Sequence, residues 1–220
     1  MLSPIVSKYL RLHDSDRLLG LVTETATTAF KRPETDETVE AAFELFRIVG
    51  DDQGHRARLL WFLSLHDREF PRAFSRVLGK AWSRGNISRR FTSYREMAHL
   101  FQDALKADLM SATELARFDS LAEKLTIFRG GSTSPIGKPL TAGKLRYGMS
   151  WTTSQDRAEW FARRWGSEPI LLRATVDRAN VLAVFDYENE VVVRSGRVRN
   201  VEMLDVTAQR GESLLSHHAN

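Results

Sequence analysis

Leu125-Thr126-Ile127-Phe128-Arg129-Gly130-Gly131-Ser132 is the stretch at which the hydrophobic rhythm of this 220-residue chain changes. Before it, apolar residues recur at the three-and-four spacing of a helical face. Val39, Ala42, Phe43, Phe46 and Val49 form one stripe, with Thr35 and Asp36 placed to cap it. Leu59, Leu60 and Leu63 continue the style, and Phe70, Phe74, Val77, Leu78 and Trp82 form another stripe. Two capping boxes, Ser93-x-x-Glu96 and Ser111-x-x-Glu114, open two further runs: Met97, Leu100, Phe101, Ala104 and then Leu115, Phe118, Leu121. These stripes are expected to be core.

From Leu125 onward the runs are short and rich in β-branched residues: Leu125–Arg129, Pro169–Val176, Asn180–Phe185, Asn189–Arg194 and Val201–Val206. Gly130-Gly131-Ser132, Asp177–Asn180 and Ser195-Gly196 read as the turns between them. A short strand is expected within Tyr147–Thr152. One helix interrupts the series. Ser154 is its N-cap, Ala158, Phe161, Ala162 and Trp165 its inner face, and Gly166 its end. Residues 131–139 read as a loop. The expectation is an α+β protein, a helical lobe over 1–124 packed on a mostly antiparallel sheet over 125–208, with a frayed tail at 209–220.

Composition narrows the function classes. Hydrophobic residues at 42% and charged residues at 27% are those of an ordinary globular chain. The absence of cysteine excludes disulfide scaffolds, thiolate zinc sites and cysteine catalysis. Thirty-two basic against 28 acidic residues give +4, which permits an anionic ligand without demonstrating one. Arg84, Arg89, Arg90, Tyr94 and Arg95 form the densest basic cluster, a solvated surface or a docking site for nucleic acid or protein. No stretch reaches the roughly 18 apolar residues of a membrane span, and MLSPIVSKYLRLHDSD is charged too early for a signal peptide. The phosphate-loop, dinucleotide-loop, nucleophile-elbow and zinc-helix motifs are absent, and the six histidines lack ligand spacing, so no metal is expected.

The remaining chemistry lies in the second half. Glu188 and Glu190 flank Asn189 at the mouth of the apolar run Val191-Val192-Val193. In a strand they point to one face, roughly 6.5–7 Å apart along the chain. They are either a carboxylate pair at a site or the solvated face of an edge strand. Arg129 precedes the two glycines, where a planar guanidinium can grip phosphate beside bare backbone, or be a surface arginine before a turn. Ser150-Trp151-Thr152 precedes the helix, and Phe161 and Arg164 share one of its faces.

In this order, Phe128-Arg129-Gly130, Ser150-Trp151-Thr152, Phe161-x-x-Arg164 and Glu188-x-Glu190 resemble the motifs of the Arg–Ser–Glu class of mono-ADP-ribosyltransferases, which includes arginine-modifying bacterial toxins and phage enzymes. The resemblance covers Leu125 to Val206. It implies a split antiparallel sheet and NAD⁺ as co-substrate, with ADP-ribose passed to an arginine of a protein target. It implies Glu190 as the catalytic carboxylate, Glu188 as the group acting on the nucleophile, and Arg129 on the diphosphate. Ser150 would steady Glu190, and Thr152 would belong to the NAD⁺ site. Phe161 would stack on nicotinamide, Arg164 would contact phosphate, the Gly130 backbone would hold the carboxamide, and Asp186 and Tyr187 would face the target. A glutamate at 188 goes with arginine acceptors in that class. Two departures stand out: Trp151 where the class has a small residue, and only 21 positions between Arg129 and Ser150.

The chemistry agrees. Breaking the nicotinamide–ribose bond passes through an oxocarbenium-like state, as glycoside hydrolysis does. Nicotinamide leaves from a cationic ring and becomes neutral, so no acid is needed, and one ionised carboxylate near the ribose supplies the stabilisation. The same pocket serves an NAD⁺ glycohydrolase if water is the acceptor. A non-catalytic binding module is the remaining alternative. The location expected is cytoplasmic, or a host cell reached without a cleavable leader.

Overall fold

In the computed structural model, residues 3–11, 19–49, 54–83, 93–132, 141–164 and 168–206 are described. Trp165, Gly166, Arg84, Arg89, Arg90, loop positions 133–139 and the tail from Gln209 lie outside them. The protein is α+β, and the chain divides into two compact units, Met1–Arg117 and Phe118–Asn220.

The first unit is helical: α1 (Pro4–Arg11), α2 (Leu19–Ala29), α3 (Asp36–Ile48), α4 (His55–Ser64), α5 (Pro71–Ser83), α6 (Tyr94–Asp103), α7 (Lys106–Leu109) and α8 (Ala112–Asp119), which crosses the unit boundary. Thr35 caps α3 through a reciprocal pair with Thr38. Ser93 and Glu96 do the same for α6, and Ser111 and Glu114 for α8. The Glu34 carboxylate accepts from the Arg72 and Ala73 amides and so closes the open amide end of α5. Tyr9, Phe30, Phe62 and Phe70 pack edge to face or tilted, 5.0–5.7 Å between centroids, and form the aromatic heart of this unit. One stripe departs from expectation: Leu115, Phe118 and Leu121 are only half-buried, and α8 has no buried residue.

The second unit holds one six-stranded sheet, all of its pairings antiparallel, in the order β4-β5-β2-β1-β3-β6. The strands are β1 (Lys124–Ser132), β2 (Ser150–Thr152), β3 (Pro169–Asp177), β4 (Val181–Phe185), β5 (Glu190–Val193) and β6 (Arg199–Leu204). α9 (Ala142–Leu145) precedes β2, and α10 (Gln155–Arg164) follows it. β1 and β3 pair over nine residues, from Lys124↔Asp177 to Ser132↔Pro169. β1 and β2 share a single registered pair, Phe128↔Thr152, so the two halves of the sheet meet at a narrow junction.

The Gly130-Gly131-Ser132 turn is corrected: β1 continues through all three residues, with Gly130 opposite Leu171. Glycine is there for proximity. A Cβ on Gly130 would lie 1.7 Å from the Ala158 carbonyl oxygen and 2.7 Å from the Ala162 nitrogen. The missing side chain lets α10 lie directly on β1, where Ala158 and Ala162 are fully buried.

Candidate functional site

α10 starts where expected. The Ser154 hydroxyl accepts from the Arg157 amide at 3.2 Å, an N-cap bond, and Asp156 sits in the first turn. The helix lies over the sheet junction, and beneath it is a cleft of about 220 Å³. Phe128, Arg129 and Gly130 line it from β1, Ser150 and Thr152 from β2, Phe161 from α10, and Glu188 and Glu190 from the far side. Residues 61 positions apart in sequence thus share one hollow because the β2–β1 junction separates there.

Pairing explains the convergence. Thr152 is opposite Phe128 on one side and Glu190 on the other, so the three side chains leave the sheet on the same face. Ser150 is opposite Val192, two pairs further along, and Thr152 is the direct neighbour of Glu190. Glu190 is 8% exposed at the start of the wholly buried strand β5. Arg129 and Trp151, out of phase with that face, both reach Gly148. The Trp151 indole donates to the Gly148 carbonyl at 2.9 Å. The Arg129 guanidinium lies against the Gly148 Cα, where a Cβ would come within 2.2 Å of it, and donates to the Ser150 carbonyl. Arg129 therefore ties β2 to β1 just where the ladder between them stops. Trp151, the bulky departure noted above, is a buried anchor of β2 at 2% exposure.

Glu188 is not in a strand, so the alternation argument for the pair is corrected. It ends a 3₁₀ turn, Asp186–Glu188, and Asn189 is left-handed at φ 47°, ψ 38°. Asparagine tolerates that region better than other side-chain-bearing residues. The turn brings Glu188 back to the cleft that Glu190 enters from β5. Three consecutive carbonyls fix it. Tyr187 accepts from Arg157 Nη2 at 3.2 Å, Glu188 from Thr152 Oγ1 at 2.9 Å, and Asn189 from the Thr153 amide at 3.2 Å. The Thr152 hydroxyl also accepts from the Ser154 amide at 3.1 Å, joining the turn to the start of α10.

The remaining expected residues fall outside the cleft. Arg164 is exposed and its guanidinium lies 4.7 Å from the Trp160 ring centroid. Asp186 and Tyr187 project outward, with Tyr187 77% exposed. Sequence reasoning overlooked Arg157 and Trp160. Positions 157, 160 and 161 fall together on a helix, which is the signal that could have found them.

Among the described residues, no group of three or more acidic or histidine side chains is arranged to hold a metal ion. No helix among them is long and apolar enough to cross a membrane. Comparison with protein-family models, with curated proteins and with solved structures returns no match.

Proposed function

We propose that this cleft is the nicotinamide–ribose site of an NAD⁺-dependent mono-ADP-ribosyltransferase of the Arg–Ser–Glu class that modifies a protein arginine, and that the second unit has the split-sheet fold of that class. The supporting observation is the convergence of Arg129, Ser150, Phe161, Glu188 and Glu190, drawn from five elements, on one hollow at the sheet junction. The cleft is smaller than the ~300–1,000 Å³ of typical ligand sites. It suits the reacting end of a long ligand, with the rest of the dinucleotide along the open side.

In this reading the Phe161 ring stacks on nicotinamide and the Gly130 backbone meets the carboxamide. The Glu190 carboxylate engages the ribose and stabilises the positive charge that grows on its anomeric carbon. Its burial strengthens that interaction, because little water screens it. The bond from the anomeric carbon to the ring nitrogen breaks, and its electron pair neutralises the pyridinium. A guanidinium nitrogen of the acceptor then bonds to the same carbon, and the proton it loses passes to the Glu188 carboxylate. Arg129 holds the diphosphate while keeping β2 in register. Thr152 is a positioning residue, since its hydroxyl acts through Glu188.

The test is nicotinamide release and acceptor labelling with NAD⁺ and arginine methyl ester. Glu190→Gln should lower both by about 10²–10³-fold while NAD⁺ still binds. Glu188→Gln should abolish labelling and leave much of the hydrolysis. Undiminished turnover in Glu190→Gln refutes the assignment.

A further inference from the structure

A second recess opens on the other side of Glu188. Asp156, Arg157 and Trp160 of α10 line it together with Tyr187 and Glu188 of the turn. Its walls combine two carboxylates with two aromatic rings that are well exposed, Trp160 at 47% and Tyr187 at 77%. Rings and carboxylates together form the surround that a planar cation prefers.

A guanidinium already lies on the rings that border it. The Arg157 guanidinium carbon is 5.3 Å from the Trp160 centroid, 5.9 Å from that of Phe161 and 6.0 Å from that of Tyr187. One of its nitrogens donates to the Tyr187 carbonyl. Trp160 carries a second guanidinium, that of Arg164. The rings that border the recess thus already carry this group, and Glu188 shares its lining.

We infer that this recess is the seat of the acceptor's guanidinium, and that Arg157 is a resident occupant which an incoming arginine side chain displaces. The inference rests on the transferase reading for its biological meaning, but the seat itself does not depend on NAD⁺. Displacement leaves Glu188 in place, because the Thr152 hydroxyl and the Thr153 amide still hold the carbonyls of Glu188 and Asn189. A lysine ammonium fits less well, since it lacks the flat face that lies along a ring. Arg157 then sets acceptor specificity: it holds the seat against weak ligands and yields to a guanidinium presented by a docked protein.

The experiment titrates arginine methyl ester and lysine methyl ester into the full-length protein, following the Trp160 indole N–H by NMR, assigned with Trp160→Phe. Arginine ester should shift this signal more strongly than lysine ester. Arg157→Gln should bind arginine ester about two- to fivefold more tightly, as the exposed ring–cation contacts of Arg157 no longer have to be exchanged. Asp156→Asn should weaken it. Arg157→Lys serves as the conservative control and should lie between wild type and Arg157→Gln. Equal binding of the two esters, or unchanged or weaker binding in Arg157→Gln, overturns the inference. In turnover, Arg157→Gln should lower KM for arginine ester. A fall in kcat with KM unchanged would instead make Arg157 merely a strut of the Glu188 turn. Failure of NAD⁺ to bind by calorimetry, with guanidinium binding intact, would sink the transferase reading and leave the seat standing.

Discussion

Replacing Gly130 with alanine puts a methyl group into the backbone of α10. The new Cβ would stand 1.7 Å from the Ala158 carbonyl oxygen, 2.8 Å from the Ala158 carbonyl carbon and 2.7 Å from the Ala162 nitrogen. A carbon–oxygen contact needs about 3.3 Å, so helix and strand must part by roughly 1.6 Å at this point. No rotamer change relieves the clash, because every atom met is main chain. Overpacking of this kind costs about 1–3 kcal/mol, and the upper end applies where both partners are rigid. For a unit of about 100 residues, that is a fall in Tm of about 10–25 °C. α10 also carries Phe161 over the cleft, and a displacement of that order at a reacting centre costs about 10²-fold in rate. Differential scanning calorimetry gives the first quantity, and hydrogen exchange of the α10 amides tells whether the helix has lifted. A variant that melts within about 2 °C of wild type, with α10 protection unchanged, would refute the claim that glycine at 130 exists to admit the helix.

Gly148→Ala is the gentler counterpart, because the three atoms nearest its Cβ all belong to the Arg129 guanidinium, at 2.2–2.3 Å, and a long side chain can swing away. Stability should fall by no more than about 1.5 kcal/mol, near the net worth of one hydrogen bond, whereas NAD⁺ affinity measured by calorimetry should drop about 10–100-fold if Arg129 grips the diphosphate. Unaltered affinity would remove Arg129 from the binding site. In the helical unit, burial raises the Tyr9 phenol above its ordinary value of 10.0. Above pH 10 the unfolded chain ionises there while the folded chain keeps its proton, so unfolding releases a proton and stability falls as pH rises. Urea unfolding between pH 9 and pH 11 should show this loss, and Tyr9→Phe should flatten it. An equal loss in Tyr9→Phe would assign it to another group.

The sequence disclosed most where structure is set by neighbours along the chain. Thr35, Ser93, Ser111 and Ser154 cap the helices they were expected to cap, because a side-chain oxygen and the amides it serves lie within three residues. α2 was not foreseen. Its sequence, LGLVTETATTA, has four threonines and no acidic residue in the first turn. It is helical while Val22, Ala26 and Ala29 are buried, so partners distant in sequence outweigh propensity. The glycine pair failed for a related reason. A glycine that turns the chain and a glycine that lets another backbone approach look identical until the approaching element is known.

The Glu188–Glu190 pair carries the sharper lesson. Strand alternation predicted that both carboxylates share a face, and both do line one cleft, yet the route is different. Glu190 is fixed by the β5 ladder to β2 and β4, whereas Glu188 hangs on a turn secured by Thr152, Thr153 and Arg157. The i, i+2 spacing was compatible with both arrangements, and only the left-handed Asn189 separates them. That difference has a mechanical consequence. Two carboxylates on one strand would move together, so any change to one would disturb the other. Here Glu188 is held through the turn and Glu190 through the ladder, so each can be disturbed without the other. In the transferase reading, substitution of Glu188 should therefore alter the step that uses the acceptor more than the step that breaks the glycosidic bond, whereas substitution of Phe161 should disturb the latter. A fold that splits its two carboxylates between a ladder and a turn makes those two steps separable by mutation.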